Sequence, residues 1–204
     1  MSPIFLAFLI MLASFLLLTL AAVVRSIWSF FVRRRGQARP VSPKPAGSSN
    51  LTDGFLLIGV ATAWYAVAMG WGGQIAFYPI YSDFVPFGQE AFRALGHGYL
   101  SRLPILLLPI AAMCVVWVLL LWFPSRYVPR RIVWAIVGLC VGFVAVTPLS
   151  AGAQDRMLEE GFSEGMYAQL MWSNGARSVI FTAIGLLALA AMRKRWALSE
   201  STSA

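Results

Sequence analysis

The sequence predicts an all-α integral membrane protein, a polytopic helical bundle with a four-helix core and one extra transmembrane helix at the amino terminus. Five uncharged, mainly apolar runs support this prediction, because about 20 such residues cross a ~30 Å hydrocarbon layer as a helix. The runs are Ile4–Val24, Phe55–Tyr78, Leu103–Phe123, Ile132–Ala153 and Ser178–Met192. With 59% hydrophobic and 12% charged residues among 204, the chain has little length left for a soluble domain.

Basic residues between the runs predict the orientation. Clusters follow the first, third and fifth runs, and they include Arg33–Arg35, Arg130 with Arg131, and Arg193–Arg195. Because basic residues accumulate beside the cytoplasm, we expect the amino terminus outside and the carboxyl terminus in the cytoplasm of a cell inner (plasma) membrane. The net charge of +8 then follows from topology, and the expected partner is the lipid bilayer rather than nucleic acid.

The first run is expected to remain as a membrane anchor. No basic residue precedes it, and its apolar stretch is longer than the roughly 7–15 residues of a signal-peptide core. The linker after it contains Pro40, Pro43 and Pro45, which disfavour helix, so the first helix is expected to be a peripheral addition. The predicted divisions are an amino-terminal helix (1–35), a cytoplasmic linker (36–53), a four-helix bundle (54–193) and a cytoplasmic tail (194–204).

Two longer connections are expected on the outer side of the bundle. Gly88–His97 has an amphipathic pattern suited to the membrane surface. Gly152–Trp172 mixes apolar and acidic residues and is expected to form short helices broken near Gly161 and Gly165. Both loops are expected to cover the outer mouth of the bundle.

The fifth run predicts a polar site. Its 15 residues extend about 22 Å at about 1.5 Å per residue, so the helix must begin near Leu170–Trp172. Asn174 and Arg177 then share one helix face at the outer membrane boundary. Two interpretations are open: Arg177 extends to the lipid headgroups, or both residues face a polar pocket in which the cation needs a partner. The candidate partners are Asp155, Glu159, Glu160 and Glu164.

Other candidate residues lie near the predicted outer helix ends. Gln74 lies one turn before Tyr78 in the glycine-containing segment Gly70–Pro79, where a flat ligand can approach the backbone; the alternative is that Gln74 only bonds a neighbouring carbonyl. His97 is the single histidine, and histidine is the side chain best suited to proton transfer near neutral pH; a hydrogen-bonding role is the alternative. One histidine, with Cys114 and Cys140 in the middle of their runs, predicts neither a metal site nor a disulfide, and we expect no cofactor.

The segment Val146–Leu187 resembles the last third of small membrane proteins of the anthrone oxygenase-like family. The similar features here are Thr147–Leu149, Leu158–Gly161, Asn174 with Arg177, the Tyr78–Pro79 step, and His97 after Phe92. The resemblance covers roughly Phe55–Leu187 and leaves the first helix outside. It implies an activity like that of a cofactor-independent oxygenase.

We therefore expect the protein to bind or oxidise a small flat aromatic or quinone-like molecule in an outward-facing polar pocket. His97 is the expected base, and Arg177 and Asn174 are expected to stabilise a phenolate or enolate oxyanion. The expected ligand contacts are Gln74 and Asp155, with Trp71, Trp172 and Tyr78 as stacking walls. The alternative is a non-catalytic accessory subunit of a larger membrane complex, with the first helix as the docking element. The candidate protein partners are a subunit of such a complex or a second copy of this chain. A transporter of this length would need to oligomerise.

Overall fold

The computed structural model describes residues 13–26, 28, 48–124 and 128–203. These residues form helices and contain no strand, which confirms the all-α class. The helices are α1 (Ala13–Ser26), α2 (Ser48–Gly72), α3 (Pro79–Phe84), α4 (Gln89–Trp122), α5 (Arg130–Glu160) and α6 (Glu164–Ser203). A π-helical turn, Gly73–Phe77, connects α2 to α3, and a 3-10 turn, Val85–Phe87, follows α3.

Among the described residues, four stretches are long and apolar enough to cross a membrane, which agrees with the four predicted core spans. They are Leu51–Phe87, Gln89–Trp122, Arg130–Glu160 and Glu164–Arg193. Of the first predicted span, the described part is the shorter apolar helix α1, and residues 1–12 lie outside the described ranges.

Helix α1 packs on the bundle and is less peripheral than the sequence suggested. Phe15 is fully buried and Ala22 is 5% exposed, and both belong to the main core. The guanidinium carbon of Arg25 lies 5.1 Å from the ring centre of Trp122 in α4, within the range of a cation–π contact. Most of the linker that follows α1 lies outside the described residues.

Several predicted boundaries differ from the observed ones. Helix α2 begins at Ser48, so the last residues of the expected linker are helical, and α6 continues through the expected tail to Ser203. The two expected outer loops are extensions of α4, α5 and α6. The chain reverses at Gly88 and Gly161, whose φ values of 91° and 105° suit glycine. The expected break near Gly165 does not occur, because that residue lies inside α6.

The four core helices form a closed ring in the order α2, α4, α5, α6, in which α4 and α5 make the sparsest contact. The main core includes Trp117 of α4, which is fully buried. A Cβ at Gly59 of α2 would lie 3.1 Å from Cε2 of Trp117, so this glycine permits the close approach of the two helices. The bulky indole of Trp117 is thus packed between helices in the middle of the bundle.

A second hydrophobic cluster, which includes Phe92, Met157 and Leu158, holds the helix extensions together. Arg93 of α4 donates from Nε to the carbonyl oxygen of Leu158 at 2.8 Å and from Nη2 to that of Glu159 at 2.7 Å. These carbonyls belong to the last turn of α5, where no backbone donor of the same helix is left. The extensions of α4 and α5 are therefore fixed to each other.

We expect Gly96→Ala to lower the free energy of unfolding by about 1–3 kcal/mol, because small-to-large changes in a packed site force side chains to shift. A Cβ at Gly96 would overlap the side chain of Leu158, which is 4% exposed. Gly98→Ala is the matched control: its Cβ would meet nothing closer than Arg102 Nη1 at 3.9 Å, and alanine favours helix by up to about 1 kcal/mol. Thermal unfolding in detergent measures both, and equal melting temperatures would contradict this packing.

Candidate functional site

A cavity of about 120 Å³ lies between α2, α4, α5 and α6. Its polar lining lies near the second hydrophobic cluster. The polar lining residues include Tyr78, Tyr99, Gln154, Asp155, Asn174 and Arg177. The apolar lining comes from deeper helix positions and includes Leu103, Leu107, Ile110, Phe143 and Phe181. The cavity is therefore amphipathic, with its polar groups at one end.

Asn174, which is 4% exposed, connects α6 to the end of α2. Its Nδ2 donates to the carbonyl oxygen of Gly70 at 3.2 Å and to Oε1 of Gln74 at 2.9 Å. Gln74 belongs to the π-helical turn, and such turns are frequent at functional sites. Both Gln74 and Asn174 were predicted from the sequence, and the structure brings them into direct contact.

Glycines explain how α6 comes so close to α2. A Cβ at Gly70 would lie 3.0 Å from Phe181 Cδ2 and from Ser178 Oγ, and a Cβ at Gly73 would lie 3.3 Å from Tyr78 Cε2. Both glycines also line the cavity. The glycine-containing segment thus allows α6 to pack closely against the end of α2, and it exposes backbone atoms to the cavity.

Arg177 is tied to this arrangement through neutral oxygen atoms. Its Nη2 donates to Oδ1 of Asn174 at 3.0 Å and to the hydroxyl oxygen of Tyr78 at 3.4 Å. Its Nε is buried and has no hydrogen-bond partner within the described part of the chain. Arg177 lines the cavity, which is the inward arrangement rather than an extension to the headgroups.

The expected carboxylate partners are not among the groups to which Arg177 donates these bonds. Asp155 lines the same cavity and has an exposed side chain, whereas Glu159, Glu160 and Glu164 are exposed at the junction of α5 and α6. The positive charge of Arg177 therefore lies beside the cavity with neutral hydrogen-bond partners.

Sequence reasoning missed several polar residues in or beside the cavity, among them Tyr99, Gln154 and Tyr81. Tyr99 lines the cavity, with its ring centre 6.3 Å from that of Tyr78 in an edge-on arrangement. Gln154 is 3% exposed and donates from Nε2 to the hydroxyl oxygen of Tyr81, whose ring lies 6.2 Å from that of Tyr78. Tyr81 could have been found from the sequence, because it lies three residues after Tyr78 and residues at that spacing share one helix face.

Four predicted residues do not line the cavity: Gln74, which bonds the lining residue Asn174, and three residues that have no such contact. His97 is exposed on α4 and is not a lining residue. Trp71 is 39% exposed and donates from Nε1 to Oγ1 of Thr182 at 3.0 Å, and Trp172 is 71% exposed. Residues two apart on a helix point about 200° away from each other. Since Tyr99 and Asn174 face the cavity, His97 and Trp172 face away from it.

The site can hold an oxygen that carries full or partial negative charge, through the guanidinium of Arg177 and the surrounding phenol and amide groups. Across residues 13–26, 28, 48–124 and 128–203, no group of three or more His, Cys, Asp or Glu side chains could hold a metal ion.

Comparisons with protein-family models, with curated proteins and with solved structures find no match to this chain.

Proposed function

We propose that this protein binds a small molecule with one flat ring and an electron-rich oxygen, of the phenol or quinone class, in the cavity beside Arg177. The observation that supports this most is the guanidinium itself, whose Nη2 bonds go to neutral oxygens. A cation within a membrane span is costly unless a counter-charge accompanies it. A phenolate oxygen beside Arg177 would provide that charge, and a neutral quinone oxygen would accept a hydrogen bond from the guanidinium.

The cavity volume limits the ligand to about one ring. A cavity of roughly 150 Å³ lined by apolar side chains holds benzene, and the cavity here is about 120 Å³. The proposed likeness to the anthrone oxygenase-like family concerns molecules of three fused rings, which would need the cavity to widen. Oxidation of the ligand stays a prediction, because His97, the expected base, lies outside the cavity.

The polar end of the cavity faces the outside of the cell in the proposed orientation. Arg130 and Arg131 lie at the start of α5, and Glu159 and Glu160 lie at its end. Basic residues favour the cytoplasmic side, so the acidic ends of α5 and α6 are external in a plasma membrane. The amino terminus is then outside and the carboxyl terminus inside.

A cysteine introduced at Ser163 should react with a membrane-impermeant thiol reagent in intact cells, while one at Ser48 should not. Ser163 lies between α5 and α6, and Ser48 begins α2 at the opposite end of the bundle. Cys114 and Cys140 are buried and provide the unreactive background. Labelling at Ser48 without labelling at Ser163 would reverse the proposed orientation.

Wild-type protein should bind 4-nitrophenol at least about tenfold more tightly than nitrobenzene, because a hydrogen bond to a charged group contributes about 1.5–3 kcal/mol. The two probes have the same ring size and differ in the acidic hydroxyl. Arg177 should also favour the ionised form, so binding should increase the yellow phenolate absorption at constant pH. Spectroscopic titration of the purified protein measures both effects.

Equal affinities for the two probes would mean that the cavity accepts any small apolar ring and that Arg177 has no part in recognition. If the folded protein binds neither probe, the proposed function fails. The accessory-subunit hypothesis would then be the leading one.

A further inference from the structure

The exposed part of the lining and the contacts between helices point to an opening of the cavity between α4 and α5. Among its lining residues, the two with exposed side chains are Ala151 and Asp155, both on α5. The facing residues on α4, Leu100 and Leu103, are half-buried. This opening coincides with the sparsest of the four contacts between neighbouring core helices.

Each helix beside the opening has a proline next to a lining residue. Pro104 follows Leu103 in α4, and Pro148 follows Thr147 in α5. A proline inside a helix lacks the N–H that would bond the preceding turn, so both backbones lose a hydrogen bond near the opening. Each helix can therefore bend more easily near the opening.

The opening lies at the boundary between the hydrocarbon layer and the membrane surface. Leu103 begins an uncharged run, and the uncharged run of α5 ends at Ala153, just before Gln154 and Asp155. Leu103 and Thr147 are thus at the depth of the lipid chains, while the carboxylate of Asp155 is at the surface. A molecule that occupies this boundary has a polar head and an apolar chain.

We infer that the natural ligand carries an apolar alkyl or isoprenoid chain, that its ring occupies the cavity beside Arg177, and that its chain leaves between α4 and α5 into the outer half of the bilayer. The inference rests on the proposed function. One ring fills a cavity of about 120 Å³, so any chain must lie outside it. The ligand class is therefore a membrane-dissolved phenol or quinone, rather than an aromatic compound taken from water.

The test compares 4-nitrophenol with 2-decyl-4-nitrophenol on protein in phosphatidylcholine nanodiscs, with empty nanodiscs as the reference for partitioning. Ala151→Trp places a large side chain in the opening and should raise the Kd of the decyl probe by about tenfold or more. Because Ala151 also lines the cavity, 4-nitrophenol on the same variant is the reference, and the decyl probe should lose clearly more affinity than 4-nitrophenol does. Leu149→Trp is the matched control on the same helix, since Leu149 is 47% exposed and does not line the cavity; it should change neither value.

Leu103→Trp repeats the test from α4, so that the inference does not depend on the folding of one variant. The inference is overturned if Ala151→Trp and Leu103→Trp leave the decyl probe unaffected, or if they weaken both probes equally. It is also overturned if wild-type protein binds 4-nitrophenol and rejects the decyl probe, while the proposed function stands. Failure of wild-type protein to bind either probe would remove the proposed function itself.

Discussion

Replacing Arg177 with lysine should weaken the binding of 4-nitrophenolate by about 10- to 100-fold, although the side chain keeps its positive charge. Nη2 of Arg177 bonds both Asn174 and Tyr78, and the planar guanidinium has further donors in a fixed geometry. A lysine ammonium is a compact point charge that cannot bond both partners and the ligand from the same position. The expected loss is that of one hydrogen bond to a charged group, about 1.5–3 kcal/mol.

Arg156→Lys is the matched control for this substitution. Arg156 is exposed on α5 and donates from Nε to the carbonyl oxygen of Gly152 at 3.1 Å and from Nη2 to Oε1 of Gln169 at 3.4 Å. It does not line the cavity, so its replacement should leave the Kd unchanged. Wild-type affinity in Arg177→Lys would mean that any cation near the membrane surface is sufficient, and it would favour the headgroup interpretation of Arg177.

The sequence was a good guide to the site where a polar residue interrupts an apolar run. Asn174 and Arg177 were predicted because the fifth run is too short to span the hydrocarbon layer, and Gln74 and Tyr78 because they lie beside glycines near a helix end. Each interruption is costly in a membrane unless the residue has a partner. The structure brings all four together.

Rotation about the helix axis is what the sequence did not specify. Trp71, Trp172 and His97 were selected for residue type and depth, and all three face away from the cavity. Gln154 was missed because α5 contacts neighbouring helices on two sides. The sequence then indicates how deep Gln154 lies in the membrane, but not which side of the helix it occupies. The helix extensions were missed for a related reason, since amphipathic segments near a membrane surface do not reveal whether they continue a spanning helix.

The second large effect should come from Asn174→Asp, which is nearly isosteric and places a carboxylate 3.0 Å from Nη2 of Arg177. This carboxylate would neutralise the guanidinium from within the protein, so the affinity for 4-nitrophenolate should fall by at least about tenfold, the effect of about 1.4 kcal/mol. The aspartate also loses the amide donor to Gly70 and Gln74. Interhelical hydrogen bonds within membranes average about 0.6 kcal/mol, so the new ion pair should offset much of that loss, and the melting temperature should change little.

Gln169→Glu makes the same amide-to-acid change beside another arginine, Arg156, outside the cavity. It should leave both ligand affinity and melting temperature near wild-type values. Asn174→Leu completes the comparison, because it removes the hydrogen bonds of the amide without adding a charge, and the loss of two interhelical bonds should lower stability by about 1 kcal/mol. If Asn174→Asp binds 4-nitrophenolate as tightly as wild-type protein does, the charge of Arg177 is not what attracts the ligand. A loss of affinity in Asn174→Asp at nearly unchanged stability would instead assign recognition to that charge, since altered packing would also have lowered the melting temperature.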